Sequence, residues 1–136
     1  MGVFVTWDNE ARTTLRYDFV GDWGWDEFLA AYRQAEAMFE SVGHLVDVIA
    51  DFQQSGCVPV ETLARLAYIF RDRPENLGSS VIVADRTFTT TSFAIFGQYY
   101  SDVARTYQLV HSLDKARGLL SKAPLTYTLP GNIMTA

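Results

Sequence analysis

Hydrophobic positions change their spacing several times along the chain, and each change predicts a new element. Residues 45–50 (LVDVIA) form an almost continuous apolar run that ends at Asp51. A run of that length, closed by turn residues, is typical of a strand covered on both faces of its sheet. A polar loop at residues 53–56 follows, and Pro59 then opens an amphipathic helix. Strand, loop and helix together predict half of a parallel βαβ unit.

Alternation with a period of two marks the N-terminal part of the chain. Residues 3–7 are rich in β-branched and aromatic side chains, and residues 13–20 alternate apolar and polar positions. The short break between the two segments predicts a hairpin. Because one face of the second strand is polar, we expect the sheet to be less completely covered near this edge.

A helical period predicts most of the remaining elements. Residues 21–27 (GDWGWDE) lead into the first helix, acidic residues crowd its first turn, and Gly43 ends it close by. After the central unit, the pattern predicts a strand at 79–84, a helix at 89–103, a strand at 107–110 and a helix at 113–121.

The predicted order of elements, β-β-α-β-α-β-α-β-α, indicates an α/β fold. Strands that alternate with helices favour a mixed, mostly parallel five-stranded sheet with right-handed crossover helices. Residues 1–123 are predicted to form a single domain, which agrees with the total length of 136 residues. Residues 124–136 show no period and are predicted to be a loosely held tail.

Composition and charge narrow the class of protein. The net charge of −5 disfavours binding to nucleic acid or to an anionic membrane surface. No leader and no membrane-length apolar stretch is visible, so we expect a cytoplasmic protein without membrane insertion. The single cysteine, Cys57, excludes an internal disulfide and a cysteine-only metal site. No phosphate loop or metal-ligand spacing appears, so no cofactor is expected.

Few residues suggest catalysis. Asp51 and Asp85 follow predicted strands at the edge where open α/β sheets bind ligands. Two carboxylates without a third ligand make a poor metal site, and we expect each to cap the turn or helix that follows it. Cys57 and His111 are the only plausible nucleophile and base, but a buried free cysteine is the commoner role. The chain is therefore predicted not to be an enzyme.

Aromatic residues at the start of the first helix have two possible roles. Trp23 and Trp25 would either line a pocket for an apolar ligand or staple the helix to the sheet, and the staple is favoured.

The helix at 89–103 has apolar positions outside its main stripe. Phe93 and Phe96 lie on the stripe, whereas Ile95 and Tyr99 lie off it. Such a helix is usually buried twice, and tyrosine is enriched at interface hot spots. We therefore predict a homodimer with Ile95 and Tyr99 in its interface.

The order of elements resembles that of the STAS domain, the fold of bacterial anti-sigma-factor antagonists. Residues 112–123 (SLDKARGLLSKA) look like the last helix of that family, and residues 21–32 (GDWGWDEFLAAY) are similar to a helix start in SpoIIAA-like proteins. In the antagonists, a serine after the central strand is phosphorylated by a partner kinase. Ser55-Gly56 resembles the end of that motif, but the acidic neighbour is absent and the loop is shorter.

The resemblance implies a non-enzymatic regulatory or protein-interaction module. Its partner would bind at the loop after the central strand, at Asp51, Gln54, Ser55 and Gly56. One alternative is a carrier of a small apolar ligand or lipid, held between the helix at 89–103 and the sheet by Trp23, Trp25, Phe93 and Phe96. A second alternative is a small enzyme that uses Cys57 and His111 or the two aspartates.

Overall fold

The sheet and its helices are seen in a computed structural model of the chain, which describes residues 2–56, 58, 60–71, 74–85 and 107–122. Within these ranges the elements are β1 (Gly2–Trp7), β2 (Thr14–Gly21), α1 (Trp25–Glu40), β3 (Val46–Ser55), α2 (Val60–Arg71), β4 (Leu77–Val83), β5 (Tyr107–Val110) and α3 (Leu113–Lys122). The strands form one five-stranded sheet in the order β1-β2-β3-β4-β5. Only β1 and β2 pair antiparallel, so the predicted mixed, mostly parallel sheet of an α/β fold is confirmed.

The β1–β2 hairpin is closed by the side chain of Asn9. Its Oδ1 accepts hydrogen bonds from the backbone N–H groups of Thr13 and Thr14, at 3.0 Å and 3.3 Å. Arg12 adopts a positive φ of 57°, which lets the chain reverse direction. The turn places Trp7 opposite Leu15 and thereby sets the register of the hairpin.

One face of the sheet carries a core of aromatic rings, and we call it the aromatic face. Tyr17 and Phe19 of β2 and Phe52 of β3 are buried there beneath α1, whose Phe28 is fully buried. The rings of Phe19 and Phe52 stack with centroids 4.1 Å apart. Leu66 of α2 belongs to the same cluster, so α1 and α2 lie on the same side of the sheet.

The opposite face, which we call the polar face, is divided. Over β3 and β4, Ile49 and Val81 pack against Ala116 and Leu120 of α3. Over β1 and β2 the side chains are more accessible, and Phe4 is 52% exposed. This agrees with the expectation of incomplete cover near the hairpin.

The predicted polar loop at residues 53–56 is wrong for its first three residues, because β3 continues to Ser55. A register shift between Asp18 and Val20 lets β2 pair onward with β3, as far as Gly21 opposite Ser55. Backbone pairing therefore extends the strand although its side chains there are polar. As a result, Asp51 lies inside β3 and not at its end.

Several predictions concern parts of the chain outside the described residues. These include Cys57, the helix at 89–103 and the tail at 124–136. The dimer contacts Ile95 and Tyr99 and the ligand contacts Phe93 and Phe96 lie there too. In the described ranges, no helix has the length and hydrophobicity needed to span a bilayer.

Candidate functional site

A groove of about 370 Å³ crosses the polar face over β1, β2 and β3, and we call it the sheet groove. It is lined by Phe4, Arg16, Asp18, Phe19, Val20, Asp51, Gln54 and Leu113. The register explains how these residues meet, because Phe4 lies opposite Asp18, and Asp18 lies opposite Asp51. Side chains at paired positions point to the same face of a sheet. Asp51 and Gln54, both predicted to contact a partner, line this groove together.

Asp51 is the acidic residue of the groove without a basic partner. Its Oδ1 accepts a hydrogen bond of 2.9 Å from the backbone N–H of Gln53. No ion pair to Asp51 occurs in the part of the chain that the structure describes. Burial raises the pKa of its carboxyl group, and the neighbouring charge of Asp18 raises this pKa further, whereas the Gln53 hydrogen bond and the charges of Arg16 and Arg117 lower it. The groove thus holds a carboxylate whose charge is only partly compensated.

Arg16 and Arg117 neutralise a different carboxylate, that of Asp8. The Asp8 side chain is only 5% exposed and lies 2.7 Å from a guanidinium nitrogen of Arg16. Arg117 of α3 donates two hydrogen bonds to it, at 2.9 Å and 2.8 Å. The hydrogen bonds from Arg117 are the main reason that the pKa of Asp8 lies below its usual value. This network attaches α3 to the hairpin, and Arg16 reaches on to Asp18 at 3.1 Å.

Ser55 and Gly56, the other two predicted partner contacts, lie at the end of β3. The Ser55 hydroxyl accepts a hydrogen bond of 2.9 Å from the indole N–H of Trp23 and donates one of 2.9 Å to the carbonyl oxygen of Gly56. A Cβ atom at Gly56 would collide with the carboxylate of Asp22. Both residues therefore hold the segment before α1 against β3, and neither lines the sheet groove.

Trp23 and Trp25 make the contacts of a helix staple. The ring centroids of Trp23 and Phe19 are 5.0 Å apart, and those of Trp25 and Phe28 are 5.3 Å apart. The guanidinium group of Arg65 lies 5.4 Å from the ring centroid of Trp25, which is a cation–π distance. These contacts join the start of α1 to the aromatic face and to α2.

Among the described residues, the ends of β4 and β5 offer few side chains suited to catalysis or metal binding. Nδ1 of His111 lies 2.8 Å from the carbonyl oxygen of Ala84 and must donate to it, since a carbonyl only accepts. Asp85 is exposed just beyond β4. It does not share a strand end with Asp51, because Asp51 lies inside β3 opposite Val83. Over the described ranges, no group of three or more metal-ligating side chains comes together.

Comparisons of the chain with family models, with curated proteins and with solved structures found no match. The structure establishes the class, an α/β fold built on a mixed five-stranded sheet. The resemblance to the STAS domain stays a prediction.

Proposed function

We propose that this chain is a protein-interaction module that binds its partner through the sheet groove and carries out no catalysis. The observation that carries the proposal is the Asp51 carboxylate. It is partly buried on an open sheet face and lacks an ion-pair partner within the described ranges. A partly buried carboxylate that forms no ion pair carries a desolvation cost, and a basic group of a partner would offset that cost.

The lining of the groove supports a particular kind of partner. Asp18 and Asp51 lie side by side on adjacent strands, while Arg16 is already held by Asp8 and Asp18. Beside them, Phe4 offers an exposed aromatic ring, and Leu113 contributes an aliphatic wall. A lysine or arginine next to an apolar side chain would complement this surface, because the charge meets Asp51 while the apolar group covers Phe4.

The proposal is compatible with a regulatory role of the STAS kind, which the order of elements suggested. It differs from the sequence prediction in the position of the site. Asp51 and Gln54 contribute from a strand, whereas Ser55 and Gly56 have structural roles next to Trp23 and Asp22. Homodimerisation through Ile95 and Tyr99 remains a prediction that is independent of the groove.

Selection of peptides from a displayed random library tests the proposal with a defined probe. We expect the selected peptides to share a lysine or arginine beside an apolar residue. Replacing Asp51→Asn keeps the shape but removes the charge, and should weaken binding of such a peptide about tenfold, or ~1.4 kcal/mol. Raising the salt concentration should weaken binding to the wild-type chain, since part of the attraction is screened.

Glu40→Gln is the matched control, because it also removes one negative charge. Glu40 is exposed at the end of α1, on the other side of the sheet. It should leave peptide affinity unchanged. The proposal is contradicted by a library that yields no saturable binder, by selected peptides that lack a basic residue, or by equal affinity in Asp51→Asn and the wild-type chain.

A further inference from the structure

A small cavity lies on the aromatic face, between α1, the sheet and α2. Its volume is about 50 Å³, and most of its wall is apolar, with contributions from Ala35, Phe39 and Val48. Tyr17 and Tyr32 also line it, together with the carboxylate-bearing Glu36. An apolar pocket with a few convergent polar groups is the usual form of a small-molecule site.

The hydroxyl group of Tyr17 is the unusual feature of this cavity. Tyr17 is only 6% exposed. Its pKa is raised, mainly by burial and further by Tyr32, Tyr107 and Glu36. Tyr17 and those three residues all line the cavity. Within the described part of the chain, this hydroxyl forms no hydrogen bond.

A buried hydroxyl without a partner is uncommon in proteins, and leaving it unpaired costs free energy. A molecule in the cavity that accepts or donates one hydrogen bond would satisfy it. Charged molecules are disfavoured, because an ion would lose its hydration in a mostly apolar space. The hydroxyl therefore selects for a neutral polar group, and the walls select for an apolar body.

We propose that this cavity is a binding site for a small neutral molecule with a short apolar body and one hydroxyl or carbonyl group, hydrogen-bonded to Tyr17. A water molecule needs about 10–15 Å³ of such space, so the cavity admits roughly three to five non-hydrogen atoms. A space of that size matches a short molecule. The site is separate from the sheet groove, since it lies on the opposite face of the sheet.

Titration of the methyl-labelled protein with 1-butanol, monitored by NMR, tests the proposal. We expect saturable shifts in the methyl signals of Val48, Ile69 and Leu77, all of which line the cavity. Tyr17→Phe removes only the hydroxyl and should weaken 1-butanol binding about five- to tenfold, the usual effect of one hydrogen bond. Tyr68→Phe is the matched control, because Tyr68 is 75% exposed on α2. This variant should bind 1-butanol with the affinity of the wild-type chain.

Xenon separates loss of the hydrogen bond from loss of the cavity. It is apolar, so it should perturb the same methyl signals equally in the wild-type chain and in Tyr17→Phe. Ala35→Val narrows the cavity and should reduce the response to both probes. The absence of saturable 1-butanol shifts in the wild-type chain would show that the cavity holds water only and would overturn the proposal. Equal 1-butanol affinity in Tyr17→Phe, with xenon binding intact, would overturn it as well.

Discussion

The two faces of the hairpin side of the sheet use the same strands for different purposes. On β2, Tyr17 and Phe19 point into the aromatic face, while Arg16 and Asp18 point to the polar face. The first pair is buried by α1, and the second remains partly accessible. One alternating strand thus supplies both core and candidate binding surface.

The two faces also differ in the kind of contact that holds them together. On the aromatic face, ring contacts run from Phe52 through Phe19 to Phe28 and on to Tyr32. On the polar face of the hairpin, the described contacts are mainly ion pairs, centred on Asp8. Apolar burial is the larger contribution to folding. Most charges on the polar face can therefore be present without a large contribution to stability.

Truncation of one phenylalanine on each face should give the largest difference in the free energy of unfolding. Phe28 is fully buried, so Phe28→Ala should lower the free energy of unfolding by about 3–5 kcal/mol. Phe4→Ala removes the same group from the polar face, where it is 52% exposed, and should cost less than about 1 kcal/mol. Urea denaturation followed by tryptophan fluorescence measures both. If the two variants lose similar amounts of unfolding free energy, the two faces do not differ in their contribution to stability as we expect.

Asp8 lies on the polar side but contributes to stability. Its replacement should lower the free energy of unfolding by an amount between those of the two phenylalanine variants. Asp8→Asn breaks the ion pairs to Arg16 and Arg117, and should lower the free energy of unfolding by about 1–3 kcal/mol at neutral pH. Since folding lowers the pKa of Asp8, its contribution is present above the ordinary value of 3.8 and is lost as the pH falls below it. The difference in the free energy of unfolding between Asp8→Asn and the wild-type chain should therefore shrink in acid.

Glu10→Gln is the control for that measurement. Glu10 is exposed in the same turn, so its replacement should leave the free energy of unfolding within about 0.5 kcal/mol of the wild-type value. A difference between Asp8→Asn and the wild-type chain that stays constant from neutral pH to acid would show that the ion pairs are not its cause.

Much of this fold follows from local patterns in the sequence. The alternation at residues 13–20 predicted the hairpin and its half-covered face, and the apolar run at 45–50 predicted the central strand. The helix that residues 21–27 lead into is predicted by its spacing and its acidic first turn, and the structure begins it at Trp25. These patterns are readable because each side chain only has to match its own element and the face that it buries.

The candidate site depends on contacts that no local pattern reports. The hydrogen bonds between Asp8 and Arg117 join positions 109 residues apart in the sequence. The extension of β3 to Ser55 comes from pairing with β2 past a register shift, and the polar side chains of that segment suggested a loop instead. The apolar run predicts that Asp51 ends a strand, but its neighbours in the groove follow only from the register of the strands.

Asp51 gives the smallest expected effect on stability, with a sign opposite to that of Asp8. Folding raises the pKa of Asp51, so the folded chain binds more protons than the unfolded chain between the ordinary and the raised value. Its contribution is most favourable below the ordinary value and declines as the pH rises through the raised one. At neutral pH, Asp51→Asn should therefore stabilise the chain by only a few tenths of a kcal/mol, because solvent screens a partly exposed carboxylate.

The same denaturation series, extended from pH 7 to pH 3, checks this prediction. The stability gained by Asp51→Asn should disappear in acid, where the wild-type carboxyl group is protonated, whereas the loss in Asp8→Asn should shrink. A residue that slightly destabilises its own fold is expected where binding is selected at the expense of stability. If Asp51→Asn instead destabilises the chain at neutral pH, Asp51 has an internal partner, and the polar face contributes to folding more than its contacts indicate.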